Sequence, residues 1–125
     1  MSRRSYGCGL EAVVDVIGGK WKPIILWHLV PGARRFGELR RLVTDISEKM
    51  LIQNLREMDA DGIVARKDFQ EVPPRVEYSL TELGLSLTNV LKPLCAWGTA
   101  NMNEIEAKKQ AQLETVGPGR GKSAS

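Results

Sequence analysis

Between residues 36 and 62 the chain carries two runs of apolar residues at helical spacing, separated by only three residues. That spacing restricts the fold more than any bulk property. Phe36, Leu39 and Val43 recur on one face of a helix predicted over 36–43, with Arg40 and Arg41 off that face. No side chain stands ready to cap its start. Thr44-Asp45-Ile46 follows as a tight connection, and Ser47 is a good N-cap for a second helix reaching about Asp61 and closed by Gly62. Two short helices joined so closely cross at a steep angle, as in a helix-turn-helix.

Upstream, Leu10, Val13, Val14 and Ile17 fall at helical spacing, and Gly18-Gly19 stops that helix. Pro23 fits the first turn of the next one. Its body, Ile24-Ile25-Leu26-Trp27-His28-Leu29-Val30, is apolar nearly all round before Pro31-Gly32 ends it, so it is expected at the centre of the core. Downstream, residues 64–69 and 75–80 read as short strands, the second with Val76, Tyr78 and Leu80 inward and Arg75, Glu77 and Ser79 outward. The intervening Gln70-Glu71-Val72-Pro73-Pro74 cannot join the ladder, because proline lacks the donor, and forms the stiff tip of a hairpin, or wing.

From Thr81 onward Leu83, Leu87, Val90, Leu91, Leu94 and Trp97 mark a long helical stripe that Pro93 is expected to kink or break. Residues 103–114 are a polar helical candidate, and 115–125 have the Gly, Pro and Ser content of a disordered tail. The expected architecture is mainly α with a small β-hairpin, a winged helix-turn-helix. An arm covers 1–9, the domain with its dimerisation helix 10–102, and the polar extension and tail 103–125.

At 125 residues and 42% hydrophobic content there is room for one domain plus an arm or tail. The stripe is wider than so small a domain needs, which points to a second copy of the chain, with Leu87, Val90, Leu91, Leu94 and Trp97 as interface candidates. No apolar run has the length of a signal peptide or membrane span, so a soluble, cytoplasmic protein with no membrane partner is expected. Cys8 and Cys95 form neither a metal pattern nor a disulfide framework. His28, the one histidine, sits in the most apolar helix and reads as a core residue. Without paired metal ligands, a phosphate-cradling glycine loop or a nucleophile motif, the chain is expected not to be an enzyme and to need no cofactor. Trp21, Trp27 and Trp97 read as core and interface anchors.

The net charge of +3 decides little, but its placement says more. Arg34, Arg35, Arg40 and Arg41 fall within eight residues that hold a single acid, Glu38. If Leu51, Leu55 and Met58 face the core, Lys49, Gln53 and Arg56 face outward, flanked by Met50 and Glu57. Lysine and arginine can donate to guanine and glutamine can pair with adenine, so this face has the chemistry of base reading on double-stranded DNA. Arg34, Arg35, Arg40, Arg41, Arg66, Lys67 and Arg75 are then candidates for phosphate contacts, and the helix N-terminus at Ser47 can also hold a phosphate. The same surface would suit an acidic protein partner, and a small-molecule pocket leaves little trace in sequence; both alternatives stay open here.

The carrying segments Cys8-Gly9-Leu10-Glu11, Gly18-Gly19-Lys20-Trp21-Lys22, Arg35-Phe36-Gly37-Glu38-Leu39, Ile46-Ser47-Glu48-Lys49-Met50-Leu51, the run from Pro73 to Thr81, and Leu94-Cys95-Ala96-Trp97-Gly98 resemble the HxlR family of winged helix-turn-helix regulators. The resemblance implies a homodimer joined through its N- and C-terminal helices, with two recognition helices on an inverted-repeat operator, acting as repressor or activator. It also implies a role for Cys8, which occupies the position of a cysteine that senses oxidants or electrophiles in several members. A helix N-terminus with Arg3 and Arg4 nearby favours an anion there, whereas Glu11 opposes it. An unreactive thiol is the alternative. Gly9 departs from the proline often found after that cysteine and loosens the local geometry. Cys95 reads as a small core or interface residue, with a bond between Cys8 and Cys95 a minor alternative.

Overall fold

The computed structural model describes residues 5–116. Along the chain these form α1 (Gly9–Ile17), α2 (Trp21–Leu29), β1 (Arg34–Arg35), α3 (Phe36–Leu42), α4 (Glu48–Ala60), β2 (Val64–Asp68), β3 (Val76–Leu80) and α5 (Glu82–Val116). Two compact units divide the chain, Met1–Asn89 and Val90–Ser125. Among the described residues no helix is long and apolar enough to cross a membrane.

In the first unit the apolar faces of α2, α3 and α4 converge. Ile25, Leu26 and Leu29 from α2, Leu39, Val43 and Ile46 from α3 and the turn after it, Leu51, Leu55 and Met58 from α4, and Ile63 and Val64 are all buried and form the core. Each such side chain contributes about 1.5–3 kcal/mol relative to exposure, so α3 and α4 are each held against α2 by core packing. The turn between them holds Asp45 at φ 71°, a left-handed conformation that a short polar side chain tolerates.

Three sequence expectations change. Helix α2 is not buried all round: Ile24 and Trp27 stay exposed, because α3, α4 and β3 cover one side of it only. The hairpin is one part of a three-stranded antiparallel sheet in the order β1-β3-β2. Arg34 pairs with Tyr78 and Arg35 with Glu77, a pairing too short to leave a period in sequence. Strand β3 is therefore central, and all five of its residues are half-buried instead of alternating. Helix α5 agrees with its expectation, continuing past Pro93 and through the helical candidate at 103–114, since proline removes only one backbone bond and no glycine or proline follows Gly98 within the helix. The expected tail lies outside the described residues apart from Thr115 and Val116, which close α5.

The corner from β3 into α5 is pinned by Thr81. Its hydroxyl donates to the carbonyl oxygens of Gly62 and Ile63 and accepts from the Gly84 N–H at 3.0 Å. Gly84 is required here, since a Cβ would lie 2.2 Å from the Ile63 carbonyl oxygen. Gly98, also inside α5, has nothing within 4 Å of that position. Gly84→Ala is expected to lower stability by about 1–3 kcal/mol in urea titrations, as overpacking does. Gly98→Ala should instead be neutral or stabilising by up to about 1 kcal/mol, as alanine replaces glycine in a helix.

Candidate nucleic-acid interface

Helix α4 begins at Ser47, whose hydroxyl accepts the Met50 N–H at 3.1 Å, and ends where Gly62 takes φ 77°. Between these stops Leu51, Leu55 and Met58 are buried, and Lys49, Gln53 and Arg56 are exposed on the opposite side. Met50 is exposed beside them at 38%. Helix α3, the supporting helix, starts with Glu38 accepting the Arg35 N–H at 2.7 Å. Thus the one acid of the arginine-rich stretch, at the third helical position, serves as the cap that the N-cap position itself lacks.

Beside the buried face of α4, a lysine of α2 ties the helix from its flank. Lys22 of α2 is 8% exposed, and its ammonium lies 2.7 Å from Oε1 of Glu57 on α4. Gln53 donates from Nε2 to Oε2 of the same carboxylate at 3.2 Å. The hydrogen bond from Lys22, then that from Gln53 and the Lys22 charge, hold the Glu57 carboxyl below its ordinary value. Asn54, also buried, donates to the Met50 carbonyl at 2.7 Å.

The sheet sorts the expected phosphate contacts into two faces. Arg34 and Arg66 both pair with Tyr78, one from each edge, so all three project to one side. Arg66 and Tyr78 there join Ile52, Leu55, Arg56 and Asp59 around a cleft of about 320 Å³ between α4 and the wing. Arg34 is partly committed, since its Nε donates to the His28 carbonyl at 2.6 Å. On the other side Arg35 and Lys67 flank Glu77. Lys67 and Arg75 lie 4.7 and 3.6 Å from the Phe69 ring centroid, and Arg75 Nε is 3.8 Å from both Glu71 and Glu77. Arg75 therefore stiffens the wing as much as it charges it. Arg40 sits 3.6 Å from Glu48, linking α3 to the start of α4, and Arg41 is exposed.

The remaining candidates lie elsewhere. Cys8 is the N-cap residue of α1 and Cys95 lies on α5; both are free and exposed, so Cys95 is not part of the chain's own core. None of the tryptophans is buried: Trp21 and His28 are half-covered, and Trp27 and Trp97 are exposed. In the α5 stripe Leu91 is buried and Leu87 half-buried, whereas Val90, Leu94 and Trp97 are about 60% exposed. Helix α1 buries none of its residues, leaving Leu10 and Val14 uncovered.

The model of the HxlR-like helix-turn-helix family matches residues 16–106. The chain belongs to that family. Among HxlR-like proteins it is 46% identical to YtcD, an HTH-type transcriptional regulator of Bacillus subtilis strain 168, over 91% of this chain and 90% of that protein. The reduced form of the redox regulator HypR shares 45% identity with a TM-score of 0.76, covering 80% of this chain and 99% of that one. The reduced form of the transcriptional regulator YodB from B. subtilis shares 34% identity with a TM-score of 0.66, covering 74% and 92%. This HxlR-like chain is a winged-helix transcriptional regulator of the DNA-binding helix-turn-helix type, not an enzyme.

Glu57 gives a pH signature. Because its folded value lies below the ordinary 4.5, the stability it contributes is present above that pH and is lost as the pH falls through the folded value. The gap in urea midpoint between wild type and Glu57→Gln should be widest near neutral pH and close as the pH falls below about 4.5. An unchanged gap across that range would remove Glu57 as the source.

Proposed function

We propose that the protein binds promoter DNA as a homodimer, with α4 in the major groove and Lys49, Gln53 and Arg56 meeting base edges. The observation carrying this reading is the exposed face that these three share opposite the buried Leu51, Leu55 and Met58. Ser47 and the first amides of α4 approach a phosphate and Met50 borders the contacted bases, while Arg35, Arg41, Arg66 and Lys67 meet the backbone. Arg34, Arg40 and Arg75 can add to that field, although each already holds a partner within the fold. For a two-fold dimer the half-sites lie about 10 base pairs, or a multiple of that, apart. A cytoplasmic setting follows from access to promoter DNA.

Support for the homodimer comes from the uncovered apolar residues of α1 and α5, Leu10 and Val14 on one and Val90, Leu94 and Trp97 on the other. Polar substitution of both Val90 and Trp97, neither of them in the core, should convert a dimer to a folded monomer in sedimentation analysis; a wild type that sediments as a monomer would contradict the reading.

Control by an oxidant or electrophile at Cys8 is the second element. It is favoured by the exposure of that free thiol at the α1 N-cap and by the similarity to HypR, named a redox regulator. Titration of the protein's own upstream DNA against unrelated duplex tests both. Arg56→Ala should weaken specific binding by about 1–3 kcal/mol. Cys8→Ser should abolish any oxidant effect on binding. No preference over unrelated duplex would favour the protein-interaction module instead.

A further inference from the structure

We propose that Lys22 and Glu57 are positioning residues that preset the side chain of Gln53 to read adenine. This rests on the reading of α4 as the DNA-contacting helix and deepens it at one residue. The two carboxylate oxygens of Glu57 are used separately: Oε1 takes the ammonium of Lys22 at 2.7 Å, and Oε2 takes Nε2 of Gln53 at 3.2 Å. An ionised carboxylate has no hydrogen to give, so only the nitrogen end of the Gln53 amide can face it. Glu57 is held ionised by the same two bonds. Its free rotation is restrained in turn by Lys22, whose side chain is nearly buried and whose charge needs a partner.

A primary amide carries two N–H groups. With the one pointing away from the amide oxygen directed at Glu57, the other stands beside Oε1, and together they form an acceptor-donor edge. That edge matches the N6 donor and N7 acceptor of adenine in the major groove. Guanine offers two acceptors there, so Oε1 would face O6 in repulsion. Lys49 and Arg56 can only donate, which makes Gln53 the sole acceptor among the three outward residues. An amide free to flip would present the matched edge only part of the time. The buried lysine thus acts through Glu57 on which base the helix prefers, and it also neutralises an acid that would otherwise oppose phosphate.

The test is a cycle between protein and DNA. An operator is selected from random duplex with the wild-type protein, and each adenine is then replaced by 7-deazaadenine, which lacks the N7 acceptor. One adenine per half-site should lose affinity on replacement, and that loss should vanish in Gln53→Ala. In the double variant Lys22→Met with Glu57→Leu, which replaces the ion pair by apolar groups, the penalty at that adenine should shrink about three- to tenfold, the factor expected from freeing one rotamer-rich side chain. Penalties at other positions should stay as they were. Should the double variant not fold, Glu57→Gln, whose amide can face Gln53 with either end, carries the same comparison. A full penalty retained in a folded variant overturns the positioning role while the Gln53 contact stands. Unchanged adenine penalties in Gln53→Ala overturn contact and positioning together, and a wild type that selects no sequence overturns the reading of α4 itself.

Discussion

A lysine whose side chain is about nine-tenths buried needs a counter-charge, and in this chain the need is met from another helix. Lys22 stands on α2, among the most buried residues of the first unit, and its partner Glu57 stands on α4. Packing of Leu51, Leu55 and Met58 in the core sets which side of α4 faces inward. The 2.7 Å ion pair adds a second tie from its flank. With the buried face and Glu57 both committed, the outward face of the helix has one disposition. Lys49, Gln53 and Arg56 occupy it.

The wing is built to hold its position relative to that helix. Its central strand β3 is paired along both edges, and β1 ties the sheet to the start of α3. One face of the sheet brings Arg66 and Tyr78 to the cleft beside Arg56, while the other locks Lys67 and Arg75 on Phe69. A stiff hairpin of this kind can meet the DNA backbone without a further cost of ordering. Thr81 and Gly84 then fix where the chain leaves the sheet for α5.

Much of this was legible in the residues. Ser47 and Gly62 bound α4 because capping is local chemistry, and the buried and exposed faces of α4 follow from its period. What escaped has physical causes. Strand β1 is two residues long and has no period. Lys22 lies in an apolar helix, and its partner is 35 positions away in sequence, so nothing local marks the pair. The cap of α3 was missed because Glu38 acts from inside the helix on Arg35 before it. The exposure of Cys95 and of the tryptophans could not be read from composition, because an apolar residue kept for a surface looks the same in sequence as one kept for a core.

Entry of α4 into the major groove, with its outward face toward the bases, can be mapped by local cleavage of the DNA. A cleaving iron chelate attached at position 49, in a chain whose own two cysteines are replaced by serine, tests it most directly. Cuts on a bound operator should be confined to two major-groove segments about one helical turn, or a whole number of turns, apart. The same chelate at position 15, on α1, should give no such pattern. Cuts from position 49 that are spread evenly along the duplex, or no stronger than those from position 15, would contradict it.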